Sequence, residues 1–159
     1  MKPTDYLALS IATCGVGYLP VAPGTFGSLV AVGIFLLLAR VVTGSSLVVV
    51  VLVLILAFTV VGIWAATRTE QLSGKKDPGK VVVDEVAGQF IALFPLTLFP
   101  RWSTLAVIVS FILFRFFDIV KPYPANRLQE LKGGAGVMFD DLVAGVYGAV
   151  IVSIMLRVF

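Results

Sequence analysis

Apolar positions run through this chain in long stretches, and the polar positions are pushed to the ends of those stretches. Positions 41–67 hold no charged residue, whereas a bilayer core needs only about 20 helical residues. A soluble core helix has no reason to be apolar on every side for so long. The pattern predicts about five spanning helices, over 26–42, 47–66, 81–99, 103–120 and 139–158. Ahead of them, Thr4 is placed to cap a short helix through Thr13 that lies at the interface or dips partly into the membrane. The connections 40–46 and 100–102 are short, while 68–80 and 121–138 are long, polar and rich in Gly and Pro. The expected fold is an all-α integral membrane protein forming one membrane-embedded domain, 1–159.

Composition strengthens this reading. The apolar fraction is 59%, against roughly 45–50% in soluble domains. A signal peptide beginning at Lys2 fits less well, because the segment breaks into Gly15, Gly17, Pro20 and Pro23 without a small-residue cleavage site. The lone cysteine, Cys14, excludes an internal disulfide and any two-cysteine metal site. The net charge of +3 suits a membrane interface and gives no reason to expect a nucleic-acid partner.

Charge placement gives a topology. With the N-terminus in the cytoplasm, Lys2, Arg68, Lys75, Lys76, Lys80, Arg115, Lys121, Arg127 and Lys132 fall on or near the inner side. Only Arg40, Arg101 and Arg157 fall outside, in keeping with the positive-inside tendency. The acidic residues all gather at the inner end as well. Acidic side chains do little to set orientation, so their one-sidedness points to a site.

The last three apolar segments are shorter than a span between their flanking charges, so those charges belong to the helices. That places Asp84, Glu85, Arg115, Asp118, Asp140 and Asp141 on cytoplasmic turns. Acidic residues in a first turn favour the helix dipole, and one carboxylate at each helix start would do for capping. Two adjacent ones at both starts, with Asp118 ending the helix between, exceed that need. Gly88 follows Asp84 by four residues and Gly145 follows Asp141 by four, so close helix approach is expected on those faces. Hard oxygen ligands at a polar boundary suit magnesium. Asp84, Asp118 and Asp141 are the preferred inward-facing ligands.

Phosphate also needs cations and backbone donors. Arg115 and Lys121 flank Asp118 in the run FRFFDIVKPYP; an Arg115–Asp118 ion pair with Lys121 reaching to water accounts for the same residues. In PVAPGTFGS, the start of a helix with the Thr25 and Ser28 hydroxyls can cradle a headgroup phosphate, although a capped turn has the same letters. Without histidine there is no phosphohistidine intermediate and no Ser-His-Asp triad. Cys14 lacks the arginine of a cysteine-phosphatase loop, and no Asp-x-Asp pair is present. Metal-assisted attack by water remains, with carboxylates as ligands and general base.

At these residues the chain resembles the phosphatidylglycerophosphatase A family of bacterial membrane phosphatases. The resemblance rests on four blocks in the family's order: GVGYLPVAPGTFGS (15–28), VVVDEVAG (81–88), FRFFDIVKPYP (114–124) and GGAGVMFDDLVAG (133–145). It implies magnesium-dependent hydrolysis of phosphatidylglycerophosphate to phosphatidylglycerol and inorganic phosphate, at the inner membrane of a bacterium. It places Asp84, Glu85, Asp118, Asp140 and Asp141 at the family's acidic motif positions and Lys121 at its lysine. Residues 40–75 carry little of the signal.

Two other classes fit less well. A CDP-alcohol phosphotransferase requires a DG-x2-AR run followed by spaced aspartates, which the chain lacks. A small transporter or channel using carboxylates as a cation relay would place them near the bilayer midplane, whereas here they stay at one end. Oligomeric state is left open by the sequence.

Overall fold

A computed structural model describes residues 1–99 and 102–158. Among these residues the chain is helical and contains no strand. Helix α1 (Pro3–Thr13) is followed by a 3-10 turn (Val16–Tyr18), α2 (Pro23–Val41), α3 (Ser45–Ser73) and α4 (Val83–Leu93). A second 3-10 turn (Phe94–Leu98), α5 (Thr104–Val120), the short α6 (Ala125–Leu128) and α7 (Gly134–Val158) complete the order.

Helix α4 is the centre of the bundle, with α2, α3, α5 and α7 packed around it. It is buried along nearly its whole length, from Val83 and Val86 through Phe90 to Leu93. Phe35 of α2, Val51 of α3, Phe90 of α4 and Val152 of α7 meet in the main apolar core, and the Phe58 and Phe90 rings stack at 5.7 Å. Between apolar helices in lipid, such packing supplies the association that the hydrophobic effect supplies in water. The outward faces carry Leu52, Leu56, Val60, Ile112 and Ile154, all exposed, as lipid contact requires.

Three helices, α2, α3 and α7, are long and apolar enough to cross a membrane. The five predicted spans therefore stand as three by length. The segment expected over 81–99 is an 11-residue α-helix that passes into the 3-10 turn at Phe94–Leu98. Pro95 lies in that turn, and proline can neither donate a backbone hydrogen bond nor fit the preceding helical turn. Helix α5 has 17 residues. The expected connection at 100–102 falls partly outside the described residues, as does Arg101.

Several boundaries also move. Helix α3 continues past Arg68 to Ser73, so the connection to α4 is shorter than expected. Helix α7 starts at Gly134, within the glycine-rich run read as loop. Asp140 and Asp141 thus lie about two turns inside α7 rather than at its start, and the capping explanation does not apply to them. At the N-terminus, Thr4 is not the cap. Helix α1 begins at Pro3, and Asp5 Oδ2 accepts the Lys2 backbone N–H at 2.8 Å. Asp5 Oδ1 also accepts Arg68 Nε at 2.8 Å, tying α1 to α3.

Candidate active site

Three elements converge at one end of the bundle. Helix α4 begins there after Val82, whose N–H donates to the Ala12 carbonyl at 2.8 Å. Its first turn carries Asp84 and Glu85. The inner end of α5 carries Arg115 and Asp118, with Lys121 just beyond it as a left-handed C-cap residue at φ 45°. Helix α7 brings Asp140 and Asp141, 3% and 2% exposed.

Carboxylate oxygens of Asp84, Glu85 and Asp141 lie within 4.8 Å of one another. Each of these residues holds one buried oxygen, Asp84 Oδ1, Glu85 Oε2 and Asp141 Oδ2, with no hydrogen-bond partner among the described residues. Buried carboxylates that crowd together with oxygens left unpartnered are costly in place unless a cation joins them. The donor set is all hard oxygen, and the three can hold a metal ion.

Asp118 lies outside this 4.8 Å group, although its carboxyl is close to that of Asp141. Asp118 Oδ2 lies 2.7 Å from Arg115 Nη1, one turn away on the same helix. Arg115 also lies 3.8 Å from Glu85 Oε1, so the guanidinium bridges Asp118 to the edge of the metal-binding group. Glu85, expected to be catalytic but not among the preferred ligands, joins Asp84 and Asp141 in that group. Asp84 and Glu85 both belong to the first turn of α4, and Glu85 Oε1 also faces Gly24 of α2 and Arg115 of α5.

Lys121 forms an ion pair with Asp140 instead of reaching to water. Burial alone would lower its pKa, but the Asp140 hydrogen bond and charge, with Asp141 and Asp118 nearby, raise it above the usual lysine value. The ammonium therefore stays charged at neutral pH.

Helix α2 approaches the same group through Gly24. A Cβ there would fall 1.9 Å from Glu85 Oε1 and 3.2 Å from Arg115 Nη1, so a larger residue would displace the Glu85 carboxylate. The expected cradle over 20–28 is partly closed on itself. The N–H groups of Thr25 and Phe26 donate to the Ala22 carbonyl at 3.0 and 3.4 Å. Ser28 is buried and its hydroxyl donates to the Gly24 carbonyl at 3.0 Å, so that proton serves its own helix. Thr25 is half-buried beside Gly24.

One residue near this site escaped the sequence reading. Asp77, in the loop between α3 and α4, lies within electrostatic range of Lys121 and Asp118. An Asp-Pro pair inside an otherwise basic loop was the available signal.

A family model described as Phosphatidylglycerophosphatase A matches residues 10–156. A Bacteroides thetaiotaomicron protein named "Putative phosphatidylinositol-3-phosphatase" is 41% identical over 97% of this chain and 96% of its own length. Proteins named phosphatidylglycerophosphatase A are 36% identical in Haemophilus influenzae, over 96% of this chain and 88% of that one. In Escherichia coli the identity is 35%, over 85% of this chain and 74% of that one. No solved structure matches the chain. The family match spans the bundle end to end and includes each element that brings a carboxylate or cation to the site, and the chain belongs to the phosphatidylglycerophosphatase A family of lipid phosphatases.

Proposed function

We propose that this chain hydrolyses the terminal phosphate of phosphatidylglycerophosphate, releasing phosphatidylglycerol and inorganic phosphate, with magnesium as its cofactor. The observation that carries the reading is the Asp84–Glu85–Asp141 group, with oxygens within 4.8 Å of one another, flanked by Arg115 and Lys121. We place the site at the cytoplasmic face of a bacterial inner membrane, in a single membrane-embedded domain over 1–159. In that arrangement α4 with its 3-10 extension, and α5, cross beside α2, α3 and α7 to give five spans. The substrate's acyl chains then stay in the bilayer while its phosphate reaches headgroup depth, where the carboxylates are.

A magnesium ion held by Asp84, Glu85 and Asp141 would polarise a phosphoryl oxygen and acidify a bound water. The protein's own groups do the rest. Lys121 and Arg115 neutralise the non-bridging phosphate oxygens, and Thr25 offers a hydroxyl at the end of α2. Asp140 and Asp118 keep the two cations aimed, through the contacts described above. A carboxylate of the group accepts the proton of the attacking water as the phosphorus–oxygen bond to glycerol breaks, and that proton then passes to the departing glycerol oxygen to give the free alcohol. Ser28, with its proton used inside α2, supports the helix end.

The Bacteroides relative's name favours a second headgroup, a phosphoinositide carrying a 3-phosphate. The same site chemistry serves either monoester, so the choice lies in the headgroup. Purified protein in detergent should release phosphate from phosphatidylglycerophosphate faster than from phosphatidylinositol 3-phosphate. EDTA should abolish release, and magnesium should restore it better than calcium, which prefers longer and more numerous contacts. Faster release from the phosphoinositide would transfer the assignment to that lipid, and full turnover after rigorous chelation would end the metal mechanism.

A further inference from the structure

The chain leaving α5 is held to α7 in two places. At the first, Lys121 forms its ion pair with Asp140. Just beyond it, the Tyr147 hydroxyl of α7 donates to the Tyr123 backbone carbonyl at 2.7 Å. Tyr147 lies within two turns of Asp141 along α7. Its ring packs on Phe117 of α5, with centroids 5.3 Å apart, so the side chain crosses the seam between α5 and α7 and ends on the loop that follows α5. A tyrosine near a membrane boundary ordinarily sits at headgroup level, with its hydroxyl in the polar layer. This one gives its proton to the backbone.

That segment needs a hold from outside. Lys121 has a left-handed backbone at φ 45°, a conformation that costs a residue with a Cβ roughly 1–2 kcal/mol and persists where the surroundings fix it. The Lys121 N–H closes onto the Phe117 carbonyl at 2.8 Å. Of the next three residues, Pro122 and Pro124 have no N–H to give. Phe117 therefore caps Lys121 with its carbonyl and supports Tyr147 with its ring. When substrate phosphate draws the Lys121 ammonium away from Asp140, that ion pair no longer fixes the loop, and the Tyr147 hydrogen bond remains.

We propose that Tyr147 is a positioning residue for Lys121. Its hydroxyl, through the Tyr123 carbonyl, keeps the start of the α5–α6 loop against α7, so that the ammonium stays within reach of the phosphate. The inference rests on the reading of Lys121 as the phosphate contact.

Tyr147→Phe removes the hydroxyl and keeps the ring on Phe117. The variant, purified in detergent, should lose about tenfold in kcat/KM for phosphatidylglycerophosphate, the scale of one hydrogen bond. The loss should come mainly through a higher KM, at an unchanged magnesium requirement. The same change made in Lys121→Ala should cost nothing further, because the group that Tyr147 positions is gone. A side chain that only supports the fold would cost the same in both backgrounds. Melting temperatures of the four proteins check that each is folded. An equal loss in both backgrounds, or wild-type kcat/KM in Tyr147→Phe, would overturn the positioning role and leave Lys121 as the phosphate contact. Wild-type kcat/KM in Lys121→Ala would remove the reading of Lys121, and the inference with it.

Discussion

Gly145 of α7 lies directly against Gly88 of α4: a Cβ on Gly145 would fall 2.3 Å from the Gly88 carbonyl oxygen. In return, a Cβ on Gly88 would fall 2.6 Å from the carbonyl oxygen of Asp141. Asp84 and Asp141 stand one turn before these glycines, on the same helix faces. The closeness of the two backbones therefore draws the two carboxylates together. Side-chain length alone would not do so.

Gly145→Ala should force α4 and α7 apart, because its obstacle is backbone and cannot rotate away. We expect a clear drop in the melting temperature of the detergent-solubilised protein together with loss of turnover. Gly33→Ala is the control, since nothing lies within 4 Å of a Cβ there, and helix propensity predicts a gain of up to about 1 kcal/mol. Equal behaviour of the two variants would contradict the close-approach argument.

Among the carboxylates, two kinds of loss should separate. Asp84→Asn, Glu85→Gln and Asp141→Asn should weaken metal binding and cut kcat by about a hundredfold or more, the scale of a lost charge at a reacting centre. Asp118→Asn should lower turnover through Arg115 while leaving metal affinity near normal. Calorimetric titration of each folded variant with magnesium decides the matter. A metal defect in Asp118→Asn as deep as that in Asp141→Asn would restore Asp118 to the ligand set.

Lys121→Ala should lower kcat/KM while the metal requirement persists. It also leaves Asp140 buried without its cation, so the melting temperature should fall. Adding Asp140→Asn should recover stability but not activity. Recovery of both would mean that Lys121 serves the fold and not the phosphate.

A pH effect is expected at the tie between α1 and α3. The Lys2 N–H, followed by Arg68, holds the Asp5 carboxyl below its usual value. A carboxyl lowered in the folded state adds stability that is present above its ordinary value of about 3.9 and lost as pH falls through the lower folded value. Asp5→Asn should therefore melt below the wild type by a constant margin above about pH 5, and the margin should close as pH falls toward and below the ordinary carboxyl value. A margin that stays constant down to pH 3 would show that the Asp5–Arg68 tie carries none of this dependence.

The unbroken apolar run of α3, the confinement of acidic residues to one end, and the glycines one turn after Asp84 and Asp141 are local facts of the sequence. They were enough for the helical membrane class, for the gathering of the acidic residues and for the faces of α4 and α7 that meet. Where helices begin was less legible. The run GGAGVM reads as loop from glycine content, yet α7 takes it in because Gly134 packs against the Ile63 carbonyl of α3, where a Cβ would fall 2.2 Å away. That contact joins residues far apart in the chain, and no window along the sequence contains it.

The pairing of cations with carboxylates is of the same kind. The sequence placed Asp84, Glu85, Asp118, Asp140 and Asp141 at one depth and supplied Arg115 and Lys121 beside them. It offered the Arg115–Asp118 pair, which the structure contains, but gave Lys121 no partner. The Arg115–Asp118 pair lies within one helix, whereas Lys121 meets Asp140 of α7, and Glu85 meets Asp141, only through the packing of helices. Residue types and their depth follow from sequence because each position must suit lipid or water by itself. Which charged oxygen remains unpaired is fixed only by the packing of several helices at once, and that belongs to the tertiary structure.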